Sequence, residues 1–188
     1  MTDTDTPPAG AATERLHVTC GKMAAGKTTH ARRLAADLGA VLVSWDLWLQ
    51  RLYPEEIAGF DDFLKYSGRL RAVMAPHLAE LLAAGLTVVL DFPANTPASR
   101  AWVRAIAQSA GTGVVLHFVD TPDERCLEQL ARRNRERPEG SMPMSAADFA
   151  AITALFVPPD PSEGLAIRFV APGEADRGVC TTEDSARG

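Results

Sequence analysis

The chain alternates short apolar runs with stretches in which apolar residues recur every three or four positions. Leu16–Cys20, Val41–Ser44, Thr87–Leu90, Val114–Val119 and Ala166–Val170 are runs of the first kind, each next to a segment of the second. Short, uniformly apolar runs suit strands buried on both faces, whereas a 3.6-residue period marks a helix with one buried stripe. Their alternation predicts an α/β fold, a parallel sheet covered by helices on both sides.

Local signals place several helix ends. Thr121-Pro122-Asp123-Glu124 supplies an N-cap, a proline at the first helical position and an early acid, so a helix is expected to start with Thr121 as its cap. Thr96-Pro97 starts another, with Trp102, Val103, Ile106 and Ala110 on one side and Gly111 at its end. Leu70, Val73, Met74, Leu78, Leu81 and Leu82 mark a third, ending at Gly85 and kinked or divided at Pro76. Residues 1–14 and 171–188 show no apolar periodicity and are expected to be disordered tails around a domain spanning 15–170. With 188 residues, 46% of them hydrophobic, the chain can bury one substantial core.

Charge and cysteine usage narrow the partners. The net charge of −5 gives no general attraction to nucleic acid or to anionic membranes, so neither is the expected partner. The polar opening lacks the features of a signal peptide, and no run approaches the roughly 18 apolar residues of a membrane span. Cys20, Cys126 and Cys180 are widely spaced and odd in number, which suits reduced thiols and a cytoplasmic home.

The strongest chemical signal is Gly21-Lys22-Met23-Ala24-Ala25-Gly26-Lys27-Thr28, which fits G-x-x-x-x-G-K-[ST] where a strand gives way to a helix. The glycines let successive amides wrap a phosphate, and the helix start adds a partial charge of roughly +0.5. Lys27 can reach the β- and γ-phosphates of ATP, and the Thr28 hydroxyl can ligate Mg²⁺. Nucleotide contacts are expected from Gly21, Lys22, Met23, Ala24, Ala25, Gly26, Lys27, Thr28 and Thr29.

Two carboxylates follow apolar strands. Asp91 can hold Mg²⁺ beside the phosphates, with Thr28 as the other metal residue, or simply cap a turn. Asp46, after the second strand, is the candidate base that takes a proton from an acceptor hydroxyl. Its structural alternative is to cap the next helix while Trp45, Trp48 and Leu49 fill core. Arg125, Arg132, Arg133, Arg135 and Arg137 precede Pro138-Glu139-Gly140, a pattern expected of a lid over about 131–145 that closes guanidinium groups on the triphosphate. Cations near a helix C-terminus also suit the dipole with no other role. His17, His30, His77 and His117 share no metal-site spacing, so structural roles and no zinc site are expected. Met142 and Met144 line a substrate entrance or cover core.

Together the loop, Asp46, the Asp91 segment and the arginine run resemble the small-molecule and polynucleotide kinase branch of P-loop proteins. That branch includes chloramphenicol phosphotransferase, zeta-toxin-like kinases and bacteriophage polynucleotide kinase. Further likeness lies in Leu90-Asp91-Phe92-Pro93-Ala94-Asn95-Thr96, Arg133-Asn134 and Phe156-Val157-Pro158-Pro159 before Glu163-Gly164. The resemblance covers roughly His17 to Phe169. It implies a three-layer fold with a five-stranded parallel sheet in order 2-3-1-4-5, and ATP- and Mg²⁺-dependent transfer to a hydroxyl of a small molecule. Lys27, Asp46, Arg133 and Arg137 are then the catalytic set, with Arg132 and Arg133 on the nucleotide. One departure is Gln129, where the resemblance leads one to expect a first lid arginine; Arg132, Arg135 or Arg137 would have to supply that charge. Two other readings remain at this point. One is a polynucleotide 5′-hydroxyl kinase, against which the acidic balance argues. The other is a nucleotide-dependent switch without an organic acceptor; a guanine-specific switch is disfavoured because no Asn-Lys-x-Asp segment is present.

Overall fold

The computed structural model describes residues 13–139 and 141–171. The expected tails, with Cys180, lie outside the described residues except at their inner ends, and Glu14 already belongs to the first strand. The strands are β1 (Glu14–Cys20), β2 (Val41–Ser44), β3 (Val88–Asp91), β4 (Gly113–Val119) and β5 (Ala166–Val170). The helices are α1 (Lys27–Leu38), α2 (Trp45–Leu52), α3 (Phe60–Ala83), α4 (Pro97–Ser109), α5 (Asp123–Glu136) and α6 (Ala146–Thr153), with a 3₁₀ turn at Pro161–Glu163. All strand pairs are parallel and the order is β2-β3-β1-β4-β5, as the resemblance implied.

Successive strand residues face opposite sides of a sheet. Leu16, Val18, Val88, Leu90, Leu116 and Phe118 therefore join Leu70, Met74, Leu78 and Leu82 of α3 and Val103 and Ile106 of α4 in one cluster. On the other side Val89 packs with Ala31 and Ala35 of α1, and Val119 with Cys126 and Leu130 of α5 and Phe149 of α6. Between these groups lies a buried chain of imidazoles: His17 Nδ1 is 3.1 Å from His117 Nε2, and His117 Nδ1 is 3.0 Å from His30 Nε2. Among the described residues, no helix is long and apolar enough to cross a membrane.

Several local expectations need correction. Helix α3 runs unbroken through Pro76. Proline withholds a hydrogen bond from the carbonyl four residues earlier, at Ala72. Ala72 and Pro76 are both exposed, so water can satisfy that carbonyl without a break in the helix. Val73, expected in the core stripe, is 67% exposed, because the buried face follows the four-residue row Leu70, Met74, Leu78, Leu82. Thr121 is not the cap of α5: Pro122 holds that position, and the Thr121 hydroxyl donates to the Ala25 carbonyl at 2.9 Å. Thr96 does cap α4, in a reciprocal box with Ser99. Helix α6 was not foreseen, although Ser145 and Asp148 form the same kind of box at its start.

Candidate active site

Between Cys20 and Lys27 the chain turns tightly at the carboxyl edge of the sheet. Gly21 has φ 146°, and a Cβ there would lie 2.5 Å from the Val119 carbonyl oxygen, so only glycine fits beside β4. Its N–H donates to Asn95 Oδ1 at 3.0 Å, which ties the loop to the segment after β3. Ala24 (φ 56°) and Gly26 (φ 100°) are left-handed. A non-glycine residue held that way costs of order 1–3 kcal/mol, and such strain gathers where backbone amides must converge on a ligand. Helix α1 begins directly after Gly26, with no side-chain cap on its first amides. Lys27 lies within the turn, its Nζ donating to the carbonyls of Gly21 (2.8 Å) and Lys22 (2.6 Å). Burial lowers its pKa, opposed by the charges of Asp91 and Asp46. Lys22 is held off to one side by an ion pair with Asp123 at the start of α5.

Asp91 closes β3 and is buried. Desolvation raises its pKa, while a hydrogen bond from Thr28, the charges of Lys27 and Arg32 and a 3.5 Å contact from Ser44 Oγ favour its anion. Thr28 and Asp91 thus sit side by side and present a hydroxyl and a carboxylate, the hard oxygen donors that Mg²⁺ takes. Asp46 lies in the first turn of α2, behind Ser44 as cap, while Trp45 and Leu49 do fill core. The Asp46 side chain is exposed on one side yet ringed by protein. Desolvation and repulsion from Asp91 push its pKa up to about 6, against the pull of Lys27 and Arg133. Water on the open side tempers that rise.

Of the arginines, Arg133 alone shares an electrostatic environment with Asp46. Its Nε is buried without a hydrogen-bond partner. Arg132, Arg135 and Arg137 are exposed, and among the described contacts none joins the loop or Asp46. Arg137 caps α5 in a left-handed conformation (φ 45°). The segment expected to act as a lid is pinned by Asn134, whose side chain donates to the Met144 carbonyl (2.7 Å) and accepts from the Met144 N–H (3.2 Å). It also reaches α2 through an exposed Arg51–Glu139 ion pair of 2.8 Å. Met144 packs against the Val119 cluster, so it covers core. The Thr29 side chain is exposed beside Thr28. Burial pushes the Cys20 thiol up to about 11, which leaves it protonated and inert. An open groove of about 490 Å³, lined by Asp120, Pro122, Phe169, Val170 and Ala171, lies at the ends of β4 and β5.

This is the fold of P-loop kinases. The chain belongs to the AAA_33 family of AAA domains, whose model matches residues 16–159. Solved structures with the same fold include a kinase candidate from Chloroflexus aurantiacus j-10-fl, 19% identical, with 86% of each chain covered and a TM-score of 0.67. Chaetomium thermophilum Kti12 in complex with ADP-AlF3 is 22% identical over 83% of this chain and 88% of that one, with a TM-score of 0.64. A gluconokinase from Sinorhizobium meliloti 1021 is 18% identical over 89% and 88%, with a TM-score of 0.56. No curated protein matches the sequence.

Three residues of the site were given no part in it by the sequence, Thr121 having been read only as a helix cap. Asn95 and Thr121 hold the loop from outside, and Ser44 contacts Asp91. Asn95 stood in the stretch quoted for the resemblance; nothing in its neighbourhood said that it reaches Gly21.

Proposed function

We propose that this protein transfers the γ-phosphoryl group of ATP to a hydroxyl of a small molecule in the cytoplasm, with Mg²⁺ as cofactor. The observation that carries the reading is the convergence of Lys27, Asp91 and Arg133 on Asp46, next to a turn whose backbone suits phosphate. In this reading the amides from Gly21 to Thr29 and the Lys27 ammonium hold the β- and γ-phosphates. Kti12, of the same fold, is described with ADP-AlF3, which supports a nucleotide there. Thr28 and Asp91 would hold Mg²⁺, which when bound supplies positive charge to the phosphate oxygens.

Asp46 accepts the proton of the acceptor hydroxyl as the acceptor oxygen bonds to the γ-phosphorus. The bond from that phosphorus to the bridging oxygen breaks, and ADP leaves. Arg133 lies where its unpaired Nε–H can meet charge that develops on the transferring group. Arg132 and Arg137 can join only by a movement of the segment around them. The net charge of −5 favours a small molecule over a nucleic-acid end as acceptor, and antibiotics and metabolites both belong in the screen.

Incubation with ATP, Mg²⁺ and a panel of metabolites and antibiotics should yield a product heavier by one phosphoryl group. Lys27→Ala should abolish it, and Asp46→Asn should slow it by about 10² or more. Because the carboxylate must be ionised to accept a proton, kcat/KM should rise through about pH 6 and level off above it. Asp46→Asn should lack that limb, and an unchanged rate in this variant would remove the proposed base.

A further inference from the structure

Arg71 on α3 lies half-buried against two aromatic rings, 4.8 Å from the centroid of Phe92 and 5.1 Å from that of Trp102. Among the described residues it makes no hydrogen bond and no ion pair. Arg100, a fully buried guanidinium on α4, shows what a structural arginine looks like here. Arg100 holds both carboxylate oxygens of Glu163 at 2.7 Å and donates to the carbonyls of Ala94, Val157 and Pro158. Arg71 has the same planar fork of five N–H donors and leaves all of them without a protein acceptor. Stacking on rings offsets part of the desolvation of a cation, but it does not use those donors.

The address of Arg71 explains the idle fork. Phe92 directly follows Asp91, and Trp45 directly precedes Asp46. Trp45 packs edge-on against Phe92 at 5.0 Å and Trp102 at 5.8 Å, and its Nε1 donates to Ser67, one turn before Arg71. The wall under the free guanidinium is thus built partly from the chain neighbours of both carboxylates, at the carboxyl edge of the sheet where open α/β folds take ligands. We propose that Arg71 binds an anionic group of the acceptor, so that the substrate is a hydroxyl compound that also carries a carboxylate or a phosphate. The inference deepens the phosphotransfer reading and rests on it for the place of the acceptor. The guanidinium fork matches either anion in two-point contact, which fixes the far end of the substrate while Asp46 engages its hydroxyl.

The test uses the full chain saturated with ADP and Mg²⁺, so that added anions do not compete at the phosphate loop. Acetate and inorganic phosphate are titrated separately while tryptophan fluorescence is followed, since Trp45 and Trp102 belong to the wall. A saturable change should appear in the wild type, weaken at least tenfold in Arg71→Gln and persist in part in Arg71→Lys, which keeps the charge and loses the fork. The stronger of the two probes tells a carboxylate acceptor from a phosphorylated one. Titrations that are the same in the wild type and Arg71→Gln overturn the proposal, and so does an Arg71→Gln variant that only lowers Tm. ADP affinity, read by calorimetry, tests the phosphotransfer reading separately, so the two failures are distinguishable.

Discussion

Against α3 and α4 the sheet packs one unbroken apolar cluster, whereas against α1 and α5 its buried apolar residues fall into two smaller groups with histidines between them. The first face is held by area, which is strong and without direction. The second, which carries the phosphate loop, is held by bonds that require particular atoms at particular angles. His117 must be neutral and in the right tautomer to donate from one nitrogen and accept at the other. Burial and the neighbouring His30, His17 and Arg168 push the His117 pKa down to about 3, and burial and Arg168 lower that of His17 against the pull of Glu14. The face that orients α1 is therefore held in part by proton-sensitive bonds, and the apolar cluster of the other face has none of its own.

The largest test of this contrast is Leu78→Ala. Leu78 is fully buried in the apolar cluster, and its truncation should cost about 2–5 kcal/mol in urea unfolding. Loss of less than 1 kcal/mol would mean that the apolar face is not the anchor. Next comes acid. An unfolded histidine takes up a proton near its ordinary 6.5, while folded His117 resists until about 3. Stability is thus fully present above pH 6.5 and is lost as pH falls, by up to about 1.4 kcal/mol per pH unit for each such histidine. Asp46 acts with the opposite sign between about 6 and 3.8, because its folded form takes up a proton first. Asp91, whose pKa burial also raises, acts in the same direction as Asp46. The measurement is therefore cleanest in an Asp46→Asn/Asp91→Asn background, where a urea midpoint unchanged between pH 7 and 4.5 would contradict the histidine account. The smallest effect should come from Thr121→Val, which removes the hydroxyl bond to Ala25 at a cost of about 1 kcal/mol. It should also raise the Kd for ADP severalfold, and an unaltered Kd would show that the loop keeps its shape without that tether.

Much of the fold was legible because its signals are local. The apolar runs matched all five strands to within two residues, and Thr96-Pro97 gave the start of α4. The strand order came from the resemblance, since apolar runs do not say which neighbours which. The glycine loop and Asp46 were visible as spacing and position, and the structure brings Lys27, Asp46, Asp91 and Arg133 together. The histidine chain was not visible: its partners lie 100 and 87 residues apart, and no periodicity links such positions. Thr121 misled for a related reason. Its cap pattern was sound locally, but a carbonyl 96 residues earlier in the chain claimed the hydroxyl. Arg132 and Arg137 were grouped with Arg133 by proximity in sequence, but a helix turns the adjacent Arg132 to a different side, and Arg137 falls past the end of α5 in its left-handed cap, off the helical path.

The grip of Arg100 on Ala94, Val157, Pro158 and Glu163 has a consequence for the order in which the molecule is made. Val157 N–H also donates to the Asn95 carbonyl at 3.0 Å, and Asn95 in turn holds Gly21. The nucleotide loop is therefore braced by chain that is synthesised more than 130 residues after it. A growing polypeptide emerges from the ribosome with its phosphate-binding turn well ahead of the support for that turn.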